Sequence, residues 1–498
     1  MKAPKFSFAV LLLAVACGSP PAPKAEPLPT PKPSADAAKP APAPEPWRNQ
    51  RPPAGPASEL HFPKPEQAKL SNGLSLMVVP KAMPVASLSL VFRHGAAACP
   101  PGKSGLASLT ARLLTEGTRR HPGVKLAEEV EQLGTTLDED AGRDSSSLSL
   151  SALTADLERA IGLLGEVVTE PAFLPADFER VQKEWLDGLR AERQAPERLA
   201  SLTALGTLLG KPHGSPADGT LADVQKLTVK DLVDFHRKAY VAGDATLIVV
   251  GDVTLASVQK AAEAAFKKLK TGQATLEQAF TPPPAPSTKQ ILLVDRPGAV
   301  QSALALVQAL PKRSAPGYEQ RDLLTTLFGG LFTSRLNLNL REEHAYTYGA
   351  HAQNLATEHW GASYIATSVR TDVTADALKE ALKELNLLKD PKLGKPIRPE
   401  EVARARADLV QSVGARLEYS GRVASTLADL WLHALPLDYY QRYPSLLAAE
   451  TPDTLSRLAT SIDVDHLIII VVGDRAVIEA PLKALGYQVV AAPADLIE

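Results

Sequence analysis

Val249-Val250-Gly251-Asp252 and Val471-Val472-Gly473-Asp474 are the same four residues, 222 positions apart. The first of them closes Ala245-Thr246-Leu247-Ile248-Val249-Val250, an apolar run that reads as a buried strand ending in a turn. Two further landmarks repeat at an offset of 216 residues: Leu88-Ser89-Leu90-Val91 is answered by Leu304-Ala305-Leu306-Val307, and Leu153-Thr154-Ala155-Asp156 by Val369-Arg370-Thr371-Asp372. Nearly constant spacing across three landmarks indicates a duplication. Within the first copy, Leu88–Phe92 and Ser147–Leu150 alternate with period two and predict strands. Leu157, Ile161, Leu164 and Val168 recur at four, three and four residues, which is one face of a helix. The uneven mixture of strands and helices predicts an α+β fold rather than a doubly wound sheet. Two homologous α/β domains are expected, 61–275 and 289–498, joined by a linker at 276–288 that contains Thr281-Pro282-Pro283-Pro284-Ala285-Pro286.

Outside the repeat the chain changes character. Of its 42 prolines, 14 lie between Pro20 and Pro56, where too little apolar surface exists to fold; 17–60 is therefore expected to be an extended, semi-rigid stalk. Before it, Lys2 and Lys5 precede an apolar run from Phe8 to Ala16, which is too short to span a bilayer and suits a signal-peptide core over 1–16. That run ends Leu13-Ala14-Val15-Ala16-Cys17-Gly18 and resembles a bacterial lipobox, with Cys17 as the lipidated residue. The plainer alternative is a secretory signal that contains a cysteine. The lipobox resemblance implies anchoring in the cell envelope, and Gly18 after the cysteine implies the outer membrane, facing the periplasm. The only other cysteine, Cys99, carries no signal of a nucleophile, and two cysteines exclude a disulfide framework. A formal net charge of −2 argues against a nucleic-acid partner.

Leu70-Ser71-Asn72-Gly73-Leu74, the strand at 88–92, and Gly102-Lys103-Ser104-Gly105-Leu106-Ala107 leading to Glu116-Gly117-Thr118 resemble the M16 (insulinase/pitrilysin-like, inverted-zincin) peptidases over about 68–490. The resemblance implies two M16-type domains, a LuxS/metallohydrolase-like sandwich, that together make half of a clam-shell chamber. In active members the helix after that glycine-rich turn carries His-x-x-Glu-His. Histidines four apart on one helical face bind zinc, the glutamate activates water, and a glutamate on a later helix completes the ligands. Here the block reads Ser108-Leu109-Thr110-Ala111-Arg112, and the later position falls on Gly188, within Trp185-Leu186-Asp187-Gly188-Leu189. Neither His-x-x-Glu-His nor His-Glu-x-x-His occurs among the ten histidines. Ser108, Ala111, Arg112 and Gly188 thus mark a lost zinc site, and Arg112 adds a fixed positive charge where a dication would sit. No metal or cofactor is expected in this chain.

Phe328-Gly329-Gly330-Leu331-Phe332-Thr333-Ser334-Arg335-Leu336-Asn337, followed by Leu340-Arg341-Glu342-Glu343-His344-Ala345-Tyr346-Thr347-Tyr348-Gly349, resembles the family's C-terminal signature. By residue type alone, Arg341 reads as a solvated helix-end charge and Tyr346 and Tyr348 as core aromatics. The resemblance instead implies that Arg341 and, seven residues on, Tyr348 hold a substrate carbonyl and stabilise charge developing on it. In two-chain members one chain supplies the zinc and the other this pair. The resemblance therefore implies a non-catalytic subunit that contributes Arg341 and Tyr348 in trans to a zinc-bearing, HxxEH-containing M16 partner acting on peptides. The alternative is a standalone peptide-binding or scaffold lipoprotein without hydrolysis. Thr135-Thr136-Leu137-Asp138-Glu139-Asp140-Ala141 falls where family members hold a peptide by strand addition; its three acids suit basic peptides, or simply protect a solvated edge.

Overall fold

In the computed structural model, which describes residues 61–274, 276, 283 and 288–497, Ala245–Gly251 forms a strand (β6) whose seven residues are all buried. The signal segment 1–16, Cys17, the 17–60 stalk and all but three residues of the 276–288 connection lie outside the described residues. A strand turns successive side chains to opposite faces, so a strand buried throughout needs cover on both sides. β6 lies inside a six-stranded sheet with β1 (Glu66–Lys69), β2 (Ser75–Pro80), β3 (Val85–Phe92), β4 (Asp138–Ala141) and β5 (Ser146–Leu153), in the order β1-β2-β6-β3-β5-β4. The second half builds another from β7 (Gln290–Asp295), β8 (Gln301–Leu310), β9 (Thr347–Ala356), β10 (Gly361–Arg370), β11 (Ile468–Gly473) and β12 (Gln488–Ala491), in the order β12-β7-β11-β8-β10-β9.

Five strands correspond one to one. Each sheet has a central parallel pair, β2–β6 or β7–β11, and runs antiparallel from there to its β4 or β9 edge. The repeated landmarks fall on equivalent strands, and Leu157, Ile161, Leu164 and Val168 are buried on one helix, Leu157–Thr169. The sixth strand differs: β1 joins antiparallel from before β2, and β12 joins parallel from the far end of the chain.

Seven helices enclose the sheets and cavities that bear on function: α1 (Leu106–Leu114), α2 (Pro175–Glu192), α3 (Pro196–Leu209), α4 (Tyr318–Thr325), α5 (Pro399–Glu418), α6 (Ser420–Leu432) and α7 (Tyr439–Ala448). Three begin on proline, whose fixed φ and missing N–H suit the first helical turn. The two halves exchange helices. Leu247 and Val249 of β6 point into the first half's own core, while Ile248 and Val250 join a cluster with Val423, Ala424 and Leu427 of α6. Reciprocally, Ile469 and Val471 of β11 face their own half, while Ile468, Ile470 and Val472 pack with Leu199, Ala200, Ala204 and Leu208 of α3. The expected pair of domains is thus present as two sheets, but each sheet's outer face is closed by a helix of the other half.

Cys99 is buried, and burial pushes its thiol up to about 12, which suits packing and not nucleophilic attack. His236 donates from Nε2 to the Val168 carbonyl at 2.8 Å and stacks on Tyr240, and burial pushes its imidazole down to about 4.

Two outcomes are expected from this packing. Leu427→Ala removes side-chain volume at a fully buried exchange position and is expected to cost about 2–5 kcal/mol. Chemical denaturation should show the loss as a single shifted transition, because α6 serves both halves. For His236, the unfolded chain takes up a proton that the folded chain refuses. Stability is therefore full above about pH 6.5 and falls toward pH 4, by about 3 kcal/mol; His236→Gln should flatten that slope in denaturation curves between pH 4 and 7.

Candidate functional site

α1 starts at Gly105, which adopts φ +86°, and a Cβ there would lie 2.8 Å from both the Asp218 carbonyl oxygen and a Val224 methyl. Only glycine permits this entry, and it fixes which residues of α1 meet α2 and the edge strand β4. Ser108 is buried and donates to the Ala217 carbonyl at 2.7 Å; Ala111 is buried beside it. On α2, Trp185, Gly188 and Glu192 follow at three and four residues and share a face. Trp185 Nε1 donates to the Asp218 carbonyl at 2.8 Å. Ser108 and Ala111 line one cavity with Trp185 and Glu192 of α2, the helix that also carries Gly188. The nearby acids Glu184 and Asp187 do not turn inward; they are exposed and pair with Arg180 and Arg190.

A hydroxyl already committed, a methyl, a guanidinium and a glycine hydrogen give zinc no donor set, so the residues present do not fit the metal. Among the described residues, no group of three or more His, Cys, Asp or Glu is placed to hold a metal ion. The guanidinium of Arg112 is occupied by carboxylates instead. It lies 2.9 Å from Glu116 on its own helix and 3.4 Å from Glu139 on β4, and Glu116 is also bound by Arg180. Burial holds the Glu139 carboxyl above the usual range, against the pull of Arg112. Of the three acids on the edge strand, Glu139 thus has a partner within the protein, while Asp138 and Asp140 are exposed.

Next to these residues opens a cavity of about 650 Å³, lined by α1, β4, α2, α3 and the segment 214–218. Its charged wall consists of Glu139, Asp140, Arg143, Glu192, Arg198 and Asp218. Arg198 is held by Asp218 at 2.5 Å and Glu192 at 3.2 Å, and Arg143 donates to the backbone carbonyls of His213 and Ser215. Arg341 and Tyr348 are not among the lining residues: all of them come from the first half.

Arg341 lies near the end of the short π-helical segment Leu338–Glu343, with its guanidinium 4.1 Å above the ring of Phe332, which is itself exposed, and 3.7 Å from Glu342. Tyr346 stacks on His344 at 4.9 Å and packs against the core, whereas Tyr348 is 93 % exposed. The reading of Tyr348 as a core aromatic is overturned, and a register irregularity explains why. Ala350 pairs with Thr367 and Thr347 with Val369, so Tyr348 and Gly349 together oppose the single residue Ser368. This β-bulge breaks the alternation that would place Tyr348 on the buried face with Ala350 and Ala352.

Other residues of the same signature are structural, which the sequence did not reveal. Arg335, 2 % exposed, makes two 2.9 Å hydrogen bonds to Glu401 and donates to the carbonyls of Lys395 and Pro396. Asn337 donates to the Ala350 carbonyl at 2.7 Å and accepts from its N–H at 2.9 Å, pinning β9 two residues beyond Tyr348. A Cβ on Gly329 would come within 2.6 Å of Ala352, so β9 can approach this turn only if 329 is glycine.

This arrangement, two duplicated sheets with an altered motif on the helix after β3, is that of an M16-type peptidase homologue. The profile of Insulinase (Peptidase family M16) matches residues 77–215, and that of the Peptidase M16 inactive domain matches 226–409. The chain belongs to peptidase family M16 and lacks that family's zinc-binding motif. It is 26 % identical over 371 residues to the non-peptidase homolog YmxG of Helicobacter pylori, covering 72 % of this chain and 82 % of that protein. The crystal structure of a peptidase M16 inactive domain from Pseudomonas fluorescens superposes with a TM-score of 0.76 at 25 % identity, over 82 % of this chain and 98 % of that one. A protease from Helicobacter pylori reaches the same TM-score at 21 % identity, over 82 % and 99 %. The fold is therefore shared with structures described as an inactive domain and as a protease.

Arg112→Ala is expected to destabilise the protein by about 1 kcal/mol at pH 7, because Glu116 and Glu139 lose a cation. The loss should shrink as the pH is lowered from 7 toward 5, because burial makes Glu139 take up its proton earlier in that descent than an exposed carboxylate would. Thermal melts of both proteins at the two pH values check this.

Proposed function

We propose that this chain is the zinc-free subunit of a two-chain M16 endopeptidase, pairing with an HxxEH-bearing M16 chain and contributing Arg341 and Tyr348 to the partner's substrate. The single observation that carries this reading is the arrangement around Arg112. A guanidinium clamped by two carboxylates stands at the motif, while the Arg–Tyr signature remains with its tyrosine turned out to solvent by a bulge. Guanidinium and phenol are donors suited to a developing oxyanion, but in this chain neither lines the first-half cavity. A zinc in another chain supplies what they lack. The unpaired edge of β4, with Asp138 and Asp140 exposed, offers main-chain hydrogen bonds and negative charge to an extended basic peptide. The resemblance of the segment ending at Cys17 to a lipobox supports a location at the envelope, with the anchor in the outer membrane and the protein facing the periplasm. A peptide-holding lipoprotein without hydrolysis is the second reading, favoured by the 650 Å³ cavity that lies beside the altered motif.

The test is co-expression with an HxxEH-bearing M16 chain and a peptide-cleavage assay. Alone, the chain should neither bind stoichiometric zinc nor cleave. In the pair, Arg341→Ala and Tyr348→Phe should each lower kcat by about 10²–10³-fold, the usual effect of removing one oxyanion donor. Unchanged turnover in both variants would exclude donation in trans, and peptide binding without turnover in any pairing would favour the second reading.

A further inference from the structure

The second half has a cavity of its own, about 290 Å³, at the place that corresponds through the duplication to the first-half cavity. There α4, β9, α5 and α6 meet as α1, β4, α2 and α3 do in the first half, with α7 added. Its lining is charged and aromatic: Arg313, Arg416, Asp322 and Asp429 stand with Tyr318, Tyr440 and Tyr443.

The charges do not neutralise one another by contact. Arg313 is 7 % exposed, lies 3.8 Å over the Tyr318 ring and donates to the Tyr439 hydroxyl at 3.3 Å; among the described residues no carboxylate comes within 4 Å of it. Asp322 accepts from the Tyr443 hydroxyl at 2.8 Å and has no cation within that distance, and burial pushes its carboxyl above the usual range. Among the described residues, Asp429 has only His433 as an ion-pair partner, at 3.4 Å. Arg416, exposed at the mouth, has no ion-pair partner among the described residues. Asn354 adds an unmade bond: its Oδ1 accepts from Thr325, while its buried Nδ2, on the cavity wall, has no hydrogen-bond partner among the described residues. Holding Arg313 and Asp322 out of water without an ion pair is costly, and so is an orphaned buried amide. Both costs are relieved by a ligand that carries charges of each sign.

We propose that this cavity binds a small zwitterion of amino-acid to dipeptide size, its carboxylate held by Arg313 and Arg416 and its ammonium by Asp322 and the tyrosine rings. Guanidinium matches a carboxylate in fork geometry, and an ammonium is attracted both to a carboxylate and to the faces of tyrosine rings. The Asn354 amide then donates to the ligand's carboxylate or peptide carbonyl. The volume lies at the small end of ligand cavities, which run from about 300 to 1,000 Å³. This site is separate from Arg341 and Tyr348 and does not depend on the function proposed above.

The experiment is titration calorimetry with ligand-observed NMR on the full chain, using alanine, alanyl-alanine and doubly blocked N-acetyl-alanyl-alanine amide as probes. Binding of alanine or alanyl-alanine, with none of the blocked compound, is expected; which of the two binds sets the size. Asp322→Asn and Arg416→Gln should each weaken binding by about tenfold or more. Arg416 is exposed, so its variant and the blocked compound remain decisive if Asp322→Asn fails to fold. No binding of either zwitterion up to about 10 mM, equal binding of the blocked compound, or full affinity in Arg416→Gln overturns the proposal.

Discussion

Leu199, Ala204 and Leu208 of α3 close the outer face of the second sheet, and Val423, Ala424 and Leu427 of α6 close that of the first. The rest of the structure depends on this exchange. A sheet with an apolar central strand must be covered on both faces; each half covers one face of its own sheet and sends one helix to the outer face of the other. The consequence reaches the candidate site. α3 follows α2 after three residues and presents Leu199, Ala200, Ala204 and Leu208 to the second sheet while turning Arg198, Ser201 and Leu205 to the 650 Å³ cavity. The part of the cavity wall that α3 forms is thus the reverse side of the inter-half core.

Within this frame, the loss of a metal motif is a local matter. The cores are built of aliphatic and aromatic side chains and include none of Ser108, Ala111, Arg112 and Gly188, so the sheets do not rely on those four residues for their packing. What has to be solved is electrostatic: a half-buried guanidinium and two carboxylates, one on its own helix and one on β4, satisfy one another. The second half shows the opposite condition at the corresponding place, where Arg313 and Asp322 line one cavity without touching.

Much of the fold was legible. The 222-residue repeat falls on β6 and β11 because a strand buried on both faces tolerates only a continuous apolar run, and such runs stand out in a sequence. Position 108 and its neighbours were legible for a related reason, since a glycine-rich turn that admits no side chain sets the register of the helix after it. Arg335 and Asn337 were visible as part of a signature but not as structural pins, because their partners Glu401 and Ala350 are 66 and 13 residues away. The same holds for the helix exchange: nothing in α3 or α6 states which sheet it covers.

By itself the sequence determined the duplication, the α+β class, the missing zinc ligands and the candidacy of Arg341 and Tyr348. Each of these is written in residue type and local spacing, which the chain carries whether or not it is folded. The tertiary structure alone decided that the halves share their cores, that Glu139 serves Arg112 rather than a peptide, and that Tyr348 faces solvent. Those outcomes depend on long-range pairing. In the last case a single extra residue opposite Ser368 reverses the face that alternation assigns to Tyr348, and only the partner strand β10 shows that the residue is extra.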